Sequence, residues 1–291
     1  MAVRAKKRFG QHWLRDEQIL NHIVAAAAVS EGDRILEIGP GTGLLTRRLV
    51  PYAKQVIAVE IDRNLCRKLR DEFKGCSHFH LIEGDYLSLD LEQAFAAQCA
   101  DPIGPLGQTA SPVQPMPSSV LPEWTPPNKV VANIPYYITG PILENLLGRI
   151  SQPNPHPFES IVLLVQKEVG DRICATAGTK AFGALSVRVQ YLADCELVCP
   201  VPAKAFSPPP KIDSAVVKLK PRPFVPPAHH PKRLETLVKV GFATKRKMLR
   251  NNLKSLVDRD RLTTLLETLG INPQARPEEL DVQQWVALSD K

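Results

Sequence analysis

No apolar run in the 291 residues approaches the roughly 18 needed to cross a bilayer, and no hydrophobic core follows the basic N-terminus as in a secretory signal. A cytoplasmic protein with no membrane partner is therefore the expectation. The six cysteines, Cys66, Cys76, Cys99, Cys174, Cys195 and Cys199, contain no CxxC pair, which argues against a zinc ribbon or a disulfide scaffold. Cys76, His78 and His80 alternate as if on one face of a strand, but no fourth ligand lies near them, so no metal is expected. Residues 100–128 hold no lysine or arginine and show no apolar period, while proline, glycine, serine and threonine abound. That stretch reads as a long surface insertion looping away from the core.

What is present is a soluble globular composition, 44% hydrophobic and 23% charged, with a net charge of +7. The positive charge is uneven. Arg4, Lys6, Lys7 and Arg8 crowd an N-terminal arm, and Lys239, Lys245, Arg246, Lys247, Arg250 and Lys254 crowd a late segment. Two such clusters are the footprint of a polyanion partner, whereas a single one would read as a solvated face.

The chain is organised around Asn133-Ile134-Pro135-Tyr136, which ends the apolar run Val130-Val131-Ala132. A buried strand stopped by Asn and Pro reaches the carboxyl edge of its sheet, where ligands bind in open α/β folds. The Asn133 amide oxygen and the Ile134 carbonyl are placed to accept two hydrogen bonds from one exocyclic amine, and Tyr136 to stack on the ring bearing it. The tetrapeptide suits an adenine N6 amine. Taken alone it reads more readily as an ordinary strand exit, with Asn133 a turn former and Tyr136 rim packing.

Its neighbours decide the matter. Strand 34–38 runs into Gly39-Pro40-Gly41-Thr42-Gly43 and a helix from Leu44, a nucleotide-binding corner. Glu37 fits poorly against a dinucleotide pyrophosphate and better against a cationic sulfonium carrying an amino acid, which favours S-adenosylmethionine over NAD. Strand 55–59 ends at Glu60, about 20 residues past the glycines, where an acid holds ribose hydroxyls. Asp62 instead caps the following helix. Strand 79–82 ends in Glu83-Gly84-Asp85, with Asp85 a candidate acceptor for the cofactor's adenine amine.

Before these strands, Phe9-Gly10-Gln11-His12-Trp13-Leu14 forms an aromatic patch behind the arm, and Asp16 caps a helix bearing Ile19, Leu20, Ile23 and Val24. After them, helices are expected over 142–147, 166–175 and 184–191, and strands over 160–165, 196–201 and 214–219. Phe206-Ser207-Pro208-Pro209-Pro210-Lys211 reads as a stiff loop that holds the Phe206 ring out as a second stacking plate. Residues 221–231 read as a proline-rich linker between an α/β domain, 1–220, and a helical domain, 232–291. Within the latter, 245–253 reads as one basic helix suited to a nucleic-acid backbone.

Together these motifs resemble the ribosomal RNA adenine N6-dimethyltransferases, most nearly the small-subunit branch. The resemblance rests on Lys7-Arg8-Phe9-Gly10-Gln11, Glu37 to Gly41, Asn133 to Tyr136, Gln166-Lys167-Glu168-Val169, Phe206 to Ser214 and Arg250 to Leu253. It covers nearly the whole chain except the insertion. It implies a Rossmann-like α/β sheet with a small C-terminal helical domain, and S-adenosylmethionine as cofactor. His12, Leu14, Gly39, Gly41, Glu60, Asp85 and Asn133 are the implied cofactor contacts. Asn133, Ile134, Pro135, Tyr136 and Phe206 form the implied catalytic pocket, and Lys245, Arg246, Lys247 and Arg250 contact RNA. The family commonly has Asn at the position of His12. The implied reaction is N6,N6-dimethylation of two adjacent adenines near the 3′ end of 16S rRNA in the assembling 30S subunit, by a monomer. The alternatives are a large-subunit rRNA adenine dimethyltransferase and a non-catalytic assembly or nucleic-acid-binding factor.

Overall fold

The computed structural model describes residues 5–6, 9–100, 124–244 and 246–291. The expectation for 101–123, the centre of the insertion, lies outside the described residues, as do Lys7, Arg8 and Lys245. In chain order the elements are β1 (Trp13–Leu14), α1 (Glu17–Ala27), β2 (Arg34–Ile38), α2 (Thr46–Leu49), β3 (Gln55–Glu60), α3 (Arg63–Glu72), β4 (Phe79–Glu83) and α4 (Leu91–Ala100). Then come β5 (Lys129–Asn133), a 3₁₀ turn (Tyr136–Ile138), α5 (Thr139–Leu147), the short pair β6 (Gly148–Arg149) and β7 (Gln152–Pro153), and β8 (Ser160–Gln166). The sheet region closes with α6 (Lys167–Ile173), α7 (Ala184–Leu192), β9 (Ala193–Val201), β10 (Phe206–Ser207) and β11 (Ser214–Pro221). Helices α8 (Pro231–Gly241), α9 (Leu249–Asn252), α10 (Arg259–Thr268) and α11 (Val282–Ser289) follow.

Seven strands form one sheet in the order β4-β3-β2-β5-β8-β11-β9. The pairs from β4 through β8 are parallel, and β11 runs antiparallel to both of its neighbours. Central strands of such a sheet are covered on both faces and read as continuous apolar runs rather than alternating ones. Ile35, Val56, Val131 and Val162 face α1, while Leu36, Ile57, Val130 and Leu163 face the core that continues through α5 and into the C-terminal helices. All eight are fully buried. At about 1.5–3 kcal/mol for each large side chain removed from water, these two layers fix the register on which the site depends.

Strand order reverses between β2 and β5. From β2 the chain winds outward through β3 and β4, then returns to place β5 on the other side of β2. The crevice beyond the strand ends at that reversal is where a doubly wound sheet holds its ligand. Glu37 and Gly39, Glu60, Asp85 and Asn133 all lie at those carboxyl ends.

Three local expectations need correction. Phe206 is not held out: it is 4% exposed, because residues 206–207 pair with Trp13 and Leu14 and draw the ring into the core beneath α1. The basic segment is not one helix. After α8 the chain turns, Arg246 adopts φ +68°, and helix resumes only at Leu249 for four residues. The Asn252 amide donates to the carbonyls of Gly241 (2.5 Å) and Thr244 (3.0 Å), bridging the turn and holding its backbone outside a helical path. Finally, the last residues of the insertion are anchored rather than looped away. Trp124 packs on Phe95, Pro126 O accepts from Arg34 Nε (2.9 Å), and Asn128 bonds to Arg34 and Asp33.

The proline-rich stretch 222–230 is mostly exposed but anchored at two points. Phe224 and Ala228 are buried, Phe224 stacks on Tyr191, and the Tyr191 hydroxyl accepts from Ala228 N–H (3.2 Å).

Candidate functional site

The arm before α1 closes one side of the crevice. Lys6 Nζ and Gln11 Nε2 both donate to Asp62, at 2.6 and 3.1 Å, and Gln11 Oε1 accepts from Lys6 N–H. Burial alone would raise the Asp62 pKa, but the hydrogen bonds from Lys6, Asn64 and Gln11 together with the ammonium charge hold it below the usual carboxylate value. Asp62 is thus both the cap of α3 and the anchor of the arm. From there β1 pairs with β10, and Asn133 Nδ2 donates to the His12 carbonyl (3.3 Å). That bond assigns the amide nitrogen to the arm and leaves Oδ1 as the acceptor on the cavity side.

The resulting open cleft, about 910 Å³ with the solvent at its mouth included, is lined by residues from every strand end named above, with His12, Trp13, Gly39, Gly41, Glu60, Asp85 and Asn133 to Tyr137 among them. Glu60, 5% exposed, accepts from the Gly41 N–H (3.0 Å) on one carboxylate oxygen and from the Asp62 N–H (2.9 Å) on the other. Burial nevertheless raises its pKa above the ordinary value. Each oxygen keeps a further lone pair, so a pair of vicinal hydroxyls can be bound without breaking the turn. Asp85 sits exposed at the lip, one oxygen capping Leu87 N–H (3.1 Å). Gly41 has φ +60°, which favours glycine, and a Cβ there would lie a tight 3.2 Å from the Trp13 ring.

Behind the glycine turn is a smaller, narrow recess bounded by Trp13, Leu14, Glu37, Gly39, Gly41 and Asn133 with Leu44 and Leu45 ahead of α2. Glu37 is 1% exposed, accepts from Thr46 Oγ1 (2.7 Å), and burial pushes its carboxyl up to about 8. Glu37 therefore faces the recess rather than the main cavity. A nucleoside-sized chamber joined to a narrow recess containing a buried acid fits a ligand with a nucleoside at one end and a cationic amino acid at the other.

At the opposite side, Pro135 is extended (φ −61°, ψ 131°) and Ile134 buries its side chain, which leaves its backbone at the cavity wall. Tyr136 is fixed by its hydroxyl, 2.5 Å from Ser214 Oγ on β11, and burial raises its pKa. The ring parallel to Tyr136 is that of His12, with centroids 6.2 Å apart and planes 15° from parallel. Its Nδ1 lies 2.8 Å from the Pro208 carbonyl, so the rigid proline loop positions His12 in place of Phe206. Tyr137 stands 61% exposed at the rim.

Of the residues read from the sequence, His12, Gly39, Gly41, Glu60, Asp85 and Asn133 to Tyr136 meet in the main cavity, and Leu14 lines the recess. Phe206 does not reach either. Arg246 and Lys247 are exposed on the turn, remote in sequence from the cavity. The alternation of Cys76, His78 and His80 does not produce a ligand set: His78 bonds to the Val50 carbonyl and His80 packs edge-on against Phe95. No motif marks Trp13 as a site residue, although it lies between His12 and Leu14, which the resemblance does mark. Lys6 and Gln11 are visible in the sequence only as part of the basic arm and its aromatic patch, because their common partner Asp62 is more than 50 positions away.

Fold and cavity together define a Rossmann-like methyltransferase that takes S-adenosylmethionine as methyl donor. The family model described as ribosomal RNA adenine dimethylase matches residues 2–291, and the chain belongs to that family. The ribosomal RNA small subunit methyltransferase A of Trichormus variabilis is 57% identical over 288 residues, 99% of this chain and 98% of that one. Its namesake in Synechococcus elongatus is 51% identical, with 98% and 94% covered. Among solved structures, a dimethyladenosine transferase from Plasmodium falciparum superposes with a TM-score of 0.71 at 25% identity, covering 95% of this chain and 96% of that one. The 23S rRNA methyltransferase ErmE gives 0.69 at 25% identity, covering 96% and 98%.

Proposed function

We propose that the chain dimethylates N6 of two adjacent adenines near the 3′ end of 16S rRNA, in the assembling 30S subunit, acting as a monomer in the cytoplasm. The family supports adenine dimethylation, and the similarity to small-subunit enzymes at 51–57% identity over almost the full length favours that substrate over large-subunit RNA. The observation that carries the reading is the Asn133 amide, turned by the arm so that its oxygen and the Ile134 carbonyl share one wall of the cavity beside a fixed aromatic ring.

S-adenosylmethionine supplies an electrophilic methyl group on a sulfonium. Glu60 would hold the ribose and Asp85 the adenine amine, while Glu37, a neutral carboxyl in the recess, would accept a hydrogen bond from the amino-acid ammonium. The target N6 is a poor nucleophile because its lone pair is delocalised into the ring. Hydrogen bonds donated by that amine to Asn133 Oδ1 and the Ile134 carbonyl favour a pyramidal nitrogen and aim the lone pair along the line of transfer, a positioning effect. Tyr136 stacks on the base extruded from its RNA, with His12 bounding the other side, and stacking of this kind contributes about 1–3 kcal/mol per base. The C-terminal helices, 232–291, with Arg246, Lys247, Arg250 and Lys245, contact the RNA backbone.

Asn133→Ala tests the central role. Methyl transfer should fall by at least two orders of magnitude, within the range general positioning effects span, while affinity for 30S particles changes little. Equal losses in transfer and binding would remove Asn133 from the chemistry.

A further inference from the structure

The indole nitrogen of Trp13 is buried and has no hydrogen-bond partner. An N–H occluded without an acceptor is disfavoured, and each such group calls for an explanation. Trp13 is not a loosely placed side chain. Its backbone pairs with Ser207, and its ring lies against Gly41 so closely that a Cβ there would be 3.4 Å from Nε1. It also lines both the nucleoside chamber and the recess holding Glu37, so the indole stands at the passage between them.

We propose that Trp13 Nε1–H is a cofactor ligand that donates to the α-carboxylate of S-adenosylmethionine. The inference rests on the cofactor reading above and assigns within it a contact that the motifs did not indicate. The choice of atom follows from chemistry. Glu60 and Asp85 fix the ribose and adenine at the far end of the chamber, so the part of the cofactor passing Trp13 is its sulfonium and amino-acid end. The sulfonium and the ammonium have no acceptor to offer. The carboxylate is the acceptor on that end, and a donor opposite Glu37 keeps the carboxylate apart from the buried acid while the ammonium lies toward it. An indole N–H also discriminates: it is neutral, so it selects an acceptor without repelling the neighbouring ammonium.

The test is calorimetry with S-adenosylhomocysteine and its decarboxylated analogue on the wild-type chain and Trp13→Phe, which keeps an aromatic ring but removes the donor. Loss of a hydrogen bond to a charged group predicts about ten- to a hundredfold weaker binding of S-adenosylhomocysteine by the variant and unchanged binding of the analogue. Equal loss for both ligands, or no loss for S-adenosylhomocysteine, overturns the proposal. The wild-type chain gives a second readout should the variant not fold. The Trp13 indole proton, one of three in the sequence, should shift downfield in a ¹⁵N-correlated spectrum with S-adenosylhomocysteine and not with the analogue. An indole signal indifferent to the carboxylate overturns it as well. A wild-type chain that binds neither ligand would instead refute the underlying cofactor reading, and the absence of any wild-type heat identifies that failure.

Discussion

Glu37→Gln should change how stability depends on pH. Glu37 sits at the end of β2 with 1% exposure, and burial pushes its carboxyl from the ordinary 4.5 up to about 8 despite the Thr46 hydrogen bond, with the neighbouring Glu60 charge adding to the rise. A folded pKa above the unfolded one means that the folded chain binds the proton more tightly. The contribution is fully present below about 4.5 and is lost as pH rises through about 8. At about 1.4 kcal/mol for each tenfold change in proton affinity, the rise from 4.5 to about 8 amounts to about 5 kcal/mol in full, of which about 3 kcal/mol is lost by pH 7. Glutamine mimics the neutral acid and can still accept from Thr46. Urea titrations at several pH values, read as the difference between wild type and Glu37→Gln, isolate this residue from Glu60, which is raised in the same direction. The difference curve should move in favour of the variant between pH 5 and 8, by a few kcal/mol on the scale of that shift. A flat difference curve would refute the buried neutral carboxyl.

Two further outcomes follow from the same geometry. Glu60→Ala should weaken S-adenosylhomocysteine binding by at least tenfold in calorimetry, because both ribose hydroxyls and the Gly41 turn lose their acceptor; an unchanged affinity would refute the ribose assignment. Replacing Lys245, Arg246 and Lys247 with alanine should weaken RNA binding and flatten its dependence on the logarithm of salt concentration by about 2, at roughly 0.7–0.9 for each phosphate no longer neutralised, whereas an unaltered slope would make the turn a solvated surface.

Much of the site was legible because it is built from strand ends. The apolar runs before Gly39, Glu60 and Asn133 are buried on both faces, and each stops at a turn-forming or charged residue, so the sheet's carboxyl edge could be placed without coordinates. The capping roles of Asp16 and Asp62 followed from local chemistry and are present, with Gln18, Ile19 and Asn64 N–H groups donating. What failed depends on partners distant in sequence. Phe206 sits beside three prolines that do stiffen its loop, but strand pairing with Trp13 and Leu14 decides where the ring goes. The proline loop then acts on His12 through the Pro208 carbonyl, an interaction across 196 positions. Residues 245–253 carry helical residue types, yet one Asn252 amide reaching back to Gly241 and Thr244 breaks the run. In the mostly exposed stretch 222–230, the contacts of Phe224 and Ala228 with Tyr191 likewise have no signal in the local sequence.

Labelled S-adenosylmethionine incubated with undermethylated 30S particles, naked small-subunit RNA and large-subunit RNA tests the account most directly. Label recovered as N6,N6-dimethyladenosine from the 30S particles alone is the predicted result. Label in large-subunit RNA, or no transfer to any of the three by a chain that binds S-adenosylhomocysteine, would contradict it.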